Sequence, residues 1–225
     1  MADGHCGPDK VIIRFHGARD KSMAHTNLAR YACRPPRRSS YIVRSPQEVP
    51  AGLRHIVLSP PPRRIAITVR PATPADLPTL GRLGALLVRT HHDFDPKRFI
   101  AATPRTEAGY AAFLGTQLDT PTVAVLVADE GGVVIGYTYA GVEGRDYMSL
   151  RGPAGVVYDV VVDPGHRRGG VGRLLLQAAL EFLKSHGAPQ VVLSTATHNE
   201  AAQRLFESAG FRRTMVEMTA ELIGP

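Results

Sequence analysis

The segment Asp163-Pro164-Gly165-His166-Arg167-Arg168-Gly169-Gly170-Val171-Gly172 constrains the fold more than any other feature of this 225-residue chain. Before it stands AGVVYDVVVDP, a run with apolar residues on both faces, which predicts a strand near the centre of a sheet. After it, Val171, Leu174, Leu175, Ala178, Phe182 and Leu183 keep helical spacing, and Gly187 is placed to end that helix. A further β-run, Gln190 to Ser194, follows. Strand, glycine turn, helix and strand in that order form a βαβ unit, whose two strands lie parallel and adjacent with a right-handed crossover.

The flanking sequence supplies the rest of an α/β domain. Ile65 to Arg70 alternates as a strand does, and Thr73-Pro74-Ala75-Asp76 sets a helix cap, a proline at the first helical position and an acid in the first turn. Leu77, Leu80, Leu83 and Leu87 line one face of the helix that follows, which ends near Thr90–Pro96. A second helix spans about Thr106 to Leu118, with Tyr110, Phe113, Leu114 and Gln117 on one side. TVAVLVADE and VVIGYTYAGV, joined by Gly131-Gly132, predict an antiparallel hairpin. Asn199 is placed to cap a helix carrying Ala202, Leu205, Phe206 and Ala209, and Phe211 to Thr219 predicts a final strand.

Composition separates residues 1–64 from residues 65–225. The first segment holds twelve Lys and Arg against four Asp and Glu, together with eight of the eighteen prolines, and its apolar runs are short and isolated. Such a stretch cannot build a core alone, so it reads as a basic Pro/Arg-rich, poorly ordered extension ahead of the folded domain. The remainder is nearly neutral, which argues against nucleic acid as the main partner; a basic arm could still bind an anionic surface. Cys6 and Cys33 have no CxxC spacing, and the histidines His91, His92, His166 and His198 show no ligand spacing, so no metal site is expected. The apolar runs fall well short of the roughly 20 residues that cross a bilayer, and no secretory signal opens the chain, so the expected location is cytoplasmic, with no membrane partner.

A turn from a central strand into a helix, built from Gly169, Gly170 and Gly172, lets several backbone N–H groups point outward together. With the positive end of the helix dipole and the flanking arginines, that turn is suited to a phosphate or pyrophosphate. A P-loop would need Gly-Lys-Ser/Thr, which is absent, and a dinucleotide fingerprint would need a small residue where Leu175 stands.

What fits is R-x-x-G-x-G, formed by Arg167, Gly170 and Gly172, and here the sequence resembles the GNAT acyltransferase superfamily. VVYDVVVDPGHRRGGVGRLLL resembles that family's strand four, loop and helix three, and THNEAAQRLFESAGF resembles its later Asn-containing element, so that the resemblance covers about residues 65 to 220. It implies a mixed central β-sheet flanked by helices, with splayed parallel strands four and five. It also implies acetyl-CoA as acyl donor. Val160, Val161 and Val162 would line the pantetheine arm, and Arg167, Arg168, Gly169, Gly170, Val171, Gly172 and Arg173 would hold the phosphates. Asn199 would bond the pantetheine arm, or serve only as a helix cap, and Arg168 and Arg173 would reach the 3′-phosphate or remain solvated.

Two departures from the pattern bear on chemistry. Phe206 stands where many members carry a tyrosine that protonates the departing thiolate, and phenylalanine has no proton to give. Ser194 stands where acetyltransferases of protein N-terminal amines carry a glutamate base. The carboxylate offered instead is Asp159, on the central strand beside the loop, where alternation puts Tyr158 and Asp159 on opposite faces. It reads as a base for the ammonium proton or as a structural acceptor. His91, His92, Asp93 and Asp95 fall where the acceptor pocket lies in this family; a solvated loop is the alternative. The reading is an N-acetyltransferase that moves an acetyl group from acetyl-CoA to a primary amine of a small molecule by direct attack in a ternary complex. A non-catalytic acyl-CoA-binding sensory module and a protein lysine acetyltransferase are the alternatives, and a homodimer is compatible with each.

Overall fold

The computed structural model describes residues 66–222. The expectations for residues 1–64, Cys6 and Cys33 included, lie outside the described residues. Five strands form one sheet: β1 (Ile67–Pro71), β2 (Val123–Glu130), β3 (Val133–Glu143), β4 (Ala154–Val162) and β5 (Val191–Leu193), in that spatial order. The first four pair antiparallel, while β4 and β5 run parallel, as the βαβ reading requires. Helices α1 (Leu77–Phe94) and α2 (Thr106–Gly115) contribute to one core, α3 (Val171–Ser185) and α4 (Glu200–Ser208) to another. The result is the mixed α/β architecture expected. Among the described residues, no helix is long and apolar enough to cross a membrane.

Local chemistry accounts for the first half of the sheet. Gly131 and Gly132 both take positive φ, 63° and 91°, as a two-residue hairpin between β2 and β3 demands. The Thr73–Asp76 start holds as well: Asp76 Oδ2 accepts from the Thr73 N–H at 2.7 Å and from its hydroxyl at 2.9 Å. Pro74–Asp76 forms a 3-10 turn, and α1 begins at Leu77. Arg70 then bridges Asp76 and Asp129, which ties β1 to β2 and to the helix entry. This pairing holds the Asp76 carboxyl down at about 2.

On one face of the sheet, Leu80, Leu83 and Leu114 pack with Val125, Val127, Tyr137, Tyr139 and Val161. On the other, Ala140 and Val157 pack with Leu176, Ala179, Leu183 and Phe206, while Ala128 and Ile135 meet Val171 and Leu175. The buried stripe of α3 is therefore rotated from the expected one: Leu176 and Ala179 are buried, and Leu174 is 40% exposed. Three consecutive leucines satisfy helical spacing in more than one way, and only the sheet selects among them.

The final strand is not formed. Phe211–Thr219 has no strand pairing; Val216 and Met218 lie exposed, and an ion pair from Arg98 to Glu217 within the segment and one from Lys97 to Glu221 just after it hold the chain here. Alternation predicts a strand but not a partner, and among the described residues no strand lies beyond β5 to receive this one.

Candidate active site

Strands β4 and β5 part company early. Their register covers Gly155–Val157 against Val191–Leu193, after which β4 continues to Val162 paired with β3 but no longer with β5. The direction of its backbone groups follows from two contacts. The Asp163 N–H donates to the Ile135 carbonyl at 2.9 Å, and the Asp159 carbonyl accepts from Thr138 Oγ1 at 2.8 Å, both toward β3. By alternation the backbone groups of Val160 and Val162 face the opening on the β5 side, and those of Val161 face β3. The Val162 carbonyl there accepts from Arg167 Nε at 3.2 Å.

The glycine turn follows directly. A 3-10 turn, Pro164–His166, is capped by Asp163, whose carboxylate accepts from the Gly165 N–H at 2.9 Å. Gly170 sits at the N-cap of α3 with φ of 87°, a left-handed conformation that residues with a Cβ enter at a cost, and Arg168 shares it with φ of 62°. The Gly170 carbonyl receives the N–H groups of Arg173 and Leu174. None of the described hydrogen bonds uses the N–H groups of Arg168, Gly169, Gly170, Val171 or Gly172. Orphan donors at a helix N-terminus, beside exposed arginines, fit the anionic phosphates of a CoA-type ligand.

Asp159 lies on the other side of β4 from the α3 core. Its Oδ2 accepts from the Tyr137 hydroxyl at 2.8 Å and the Tyr110 hydroxyl at 3.3 Å. Burial pushes its carboxyl up to about 6, against the lowering effect of both hydroxyls and of the nearby His91. Tyr110 reaches this position because Gly84 of α1 has no side chain; a Cβ there would overlap the Tyr110 ring. Neither tyrosine emerges from the sequence, since their spacings of 49 and 22 residues from Asp159 carry no local signal.

The expected opposition of Tyr158 and Asp159 is overturned. Tyr139 pairs with Asp159 but Ala140 pairs with Val157, so Tyr158 is the extra residue of a β-bulge. Its ring stacks on Tyr139, a member of the same core that holds Tyr137, at 4.5 Å and 25°. Both Tyr158 and Asp159 therefore face α1 and α2.

The remaining candidates are dispersed. Asn199 Oδ1 caps α4 by accepting from the Ala202 N–H at 3.2 Å. Phe206 is buried, in the core that includes Val157, where the pairing of β4 and β5 ends. His91 and His92 belong to the last turn of α1; Nδ1 of His91 donates to the Leu87 carbonyl and that of His92 to the Phe99 carbonyl, each at 2.9 Å. Asp93 is exposed, and Arg173 donates to Ser208 Oγ at 3.2 Å.

Parallel strands that separate beside a glycine turn at a helix start are the arrangement of the acetyltransferase fold. The chain belongs to the acetyltransferase (GNAT) family, which it matches over residues 87–211. It is 42% identical over 96 residues to a mycothiol acetyltransferase of Thermobispora bispora, across 41% of this chain and 31% of that one. The chain thus spans about a third of the length of the mycothiol acetyltransferases it matches. The N-acetyltransferase YhfO of Bacillus subtilis is 32% identical over 103 residues, 46% of this chain and 68% of YhfO. Among solved structures, the aminoglycoside N-acetyltransferase AAC(6')-Iy in complex with CoA superposes with a TM-score of 0.54 at 19% identity, covering 71% of this chain and 97% of that one.

Proposed function

We propose that this protein acetylates a primary amine of a small molecule, with acetyl-CoA as donor and Asp159 as the base. The observation that supports this reading is the position of one carboxylate, Asp159, held by the Tyr137 and Tyr110 hydroxyls on the strand that runs directly into the glycine turn. Arg167 to Gly172 hold the phosphates through charge and free amides, and the open backbone edge of Val160, with the N–H of Val162, bonds the pantetheine arm. Acetyl-CoA supplies the thioester whose C–S bond breaks. Tyr137 and Tyr110 fix Oδ2 of Asp159, and Oδ1 takes the proton of the substrate ammonium, so that the neutral nitrogen attacks the thioester carbonyl. Phe206 donates no proton; the sulfur departs as thiolate, a fair leaving group at a thiol pKa near 8.5, and the second proton of the acylated nitrogen passes to water, from which the thiolate is protonated to the CoA thiol. The mycothiol acetyltransferases among its relatives, by their name, support a small-molecule acceptor.

Residues 65–225 are proposed as the catalytic domain and residues 1–64 as an extension outside it, and the cytoplasm as its location. Mass spectrometry of products after incubation with acetyl-CoA and an amine panel tests the activity. Acetylated amine with release of the CoA thiol is expected; acetyl-CoA binding without transfer to any amine would favour a sensory module instead.

A further inference from the structure

The bulge at Tyr158 does more than turn one side chain. It sets an aromatic surface immediately beside Asp159, on the face that α1 and α2 cover. Tyr158 stacks on Tyr139, and Phe113 of α2 meets Tyr139 edge to face at 5.7 Å and 85°. Tyr139 is buried, yet Tyr158 remains 40% exposed and Phe113 47% exposed. The Tyr158 ring is also fixed in place. Its hydroxyl donates to Glu143 Oε1 at 2.7 Å, and the other oxygen of Glu143 pairs with Arg151. A rigid aromatic face left open to solvent is costly for folding alone and well suited to bind a flat partner.

Charge selects the partner's chemistry. Glu143 is neutralised by Arg151, whereas Asp159 has only neutral tyrosine donors in its described hydrogen bonds. Among the described residues Arg151 is the one cation hydrogen-bonded to this surface, while His91, near Asp159, donates to the Leu87 carbonyl; the bonded groups are therefore net anionic once Asp159 is ionised. A carboxylate next to the reacting amine would be repelled, and an ammonium attracted both by Asp159 and by the negative faces of the rings. Tyr158 and Asp159 are consecutive and share a face, and Tyr139 joins them, stacking on the Tyr158 ring and pairing across the ladder with Asp159. In this subsite an amine attached to a ring on Tyr158, directly or through one carbon, is directed toward the carboxylate.

We propose that Tyr158, Tyr139 and Phe113 form the acceptor subsite, and that it takes a primary amine carried on a ring, with no neighbouring carboxylate. This rests on the acetyl-transfer reading above for its chemistry but not for its geometry. Glu143 and Arg151 hold the shelf rigid, and Asp159 receives the ammonium.

The test compares hexylamine with cyclohexylmethylamine, which share six or seven carbons and similar basicity, using the full chain and saturating acetyl-CoA. Benzylamine and glucosamine are added to separate an aromatic from a hydroxylated ring; preference for either supports the subsite. The wild type is expected to show a KM about tenfold lower for ring-bearing amines than for hexylamine, as one stacking contact implies. Tyr158→Ala should erase that ratio, and Phe113→Ala, on an exposed helix surface, should reduce it. Calorimetric binding of acetyl-CoA reports that each variant is folded. Equal KM values in the wild type, or a ratio that survives Tyr158→Ala, would overturn the subsite while leaving acetyl transfer intact. Should no amine release the CoA thiol, saturation-transfer NMR on cyclohexylmethylamine still reads the site: a signal lost in Tyr158→Ala supports it, and no signal in the wild type sinks it.

Discussion

The Tyr137 hydroxyl stands 2.8 Å from Asp159 Oδ2, across the β3–β4 ladder from the strand that enters the glycine turn. The bond opposes burial: desolvation disfavours the ionised carboxylate, and the phenolic donor stabilises it. Burial, and after it the same carboxylate, push the Tyr137 hydroxyl well above its ordinary value, so the proton stays on the tyrosine and Tyr137 acts as a fixed donor.

Removing that donor should move a pH profile. In Tyr137→Phe the Asp159 carboxyl should titrate above about 6, by roughly one unit if the bond contributes about 1.4 kcal/mol. The acidic limb of kcat/KM for an identified amine should shift upward accordingly, with a larger loss at pH 6 than at pH 8. An unmoved limb in a folded variant would leave Tyr137 with a packing role only.

Asp159→Asn should lower kcat/KM by about 10²- to 10⁴-fold, the usual contribution of a positioned base, and remove the acidic limb. Stability should change in the opposite sense. Asp159 titrates higher in the folded chain than in the unfolded one, so its stabilising contribution is complete below about 4 and is lost as pH rises through about 6. At pH 8 the neutral asparagine should therefore raise the melting temperature, while at pH 3.5 the two proteins should melt alike. Wild-type activity in this variant eliminates Asp159 as the base.

The turn makes a paired prediction. Gly170→Ala places a Cβ at φ of 87°, where nothing lies within 4 Å, so backbone strain of about 1–2 kcal/mol is its main effect. Acetyl-CoA affinity should fall by tenfold or more as the free amides are displaced. Arg168→Gly removes existing strain at φ of 62° and should raise stability by about 0.5–1 kcal/mol, yet weaken acetyl-CoA binding through loss of the guanidinium. Calorimetry and thermal melts separate the two effects; unchanged affinity in both variants would move the cofactor elsewhere.

Deleting residues 1–60 should leave melting temperature and acetyl-CoA affinity nearly unchanged, because every periodic segment of the sequence lies beyond them. A large drop in either measurement would show that the extension belongs to the working protein.

The loop and its setting were legible because their signals are local. R-x-x-G-x-G between an apolar strand and a leucine-rich helix encodes a positive φ at Gly170, free amides and a helix start within six residues. The hairpin at Gly131-Gly132 and the Thr73–Asp76 helix entry were readable for the same reason. Asp159 stood out as a carboxylate in an apolar strand, but its partners did not.

Local sequence determined where strands turn into helices, which glycines bend the chain, and that a glycine turn with unpaired amides opens α3, since each depends on backbone preferences of adjacent residues. Tertiary structure alone decided the rest. The bulge that turns Tyr158 toward Asp159 depends on the register of β4 against β3, and the hold of Tyr110 on Asp159 depends on α2 packing against Gly84. The exposed Phe211–Thr219 segment lacks a strand to pair with among the described residues, although its alternation suits one. Those outcomes are set by contacts between residues tens of positions apart, which periodicity in one segment cannot encode.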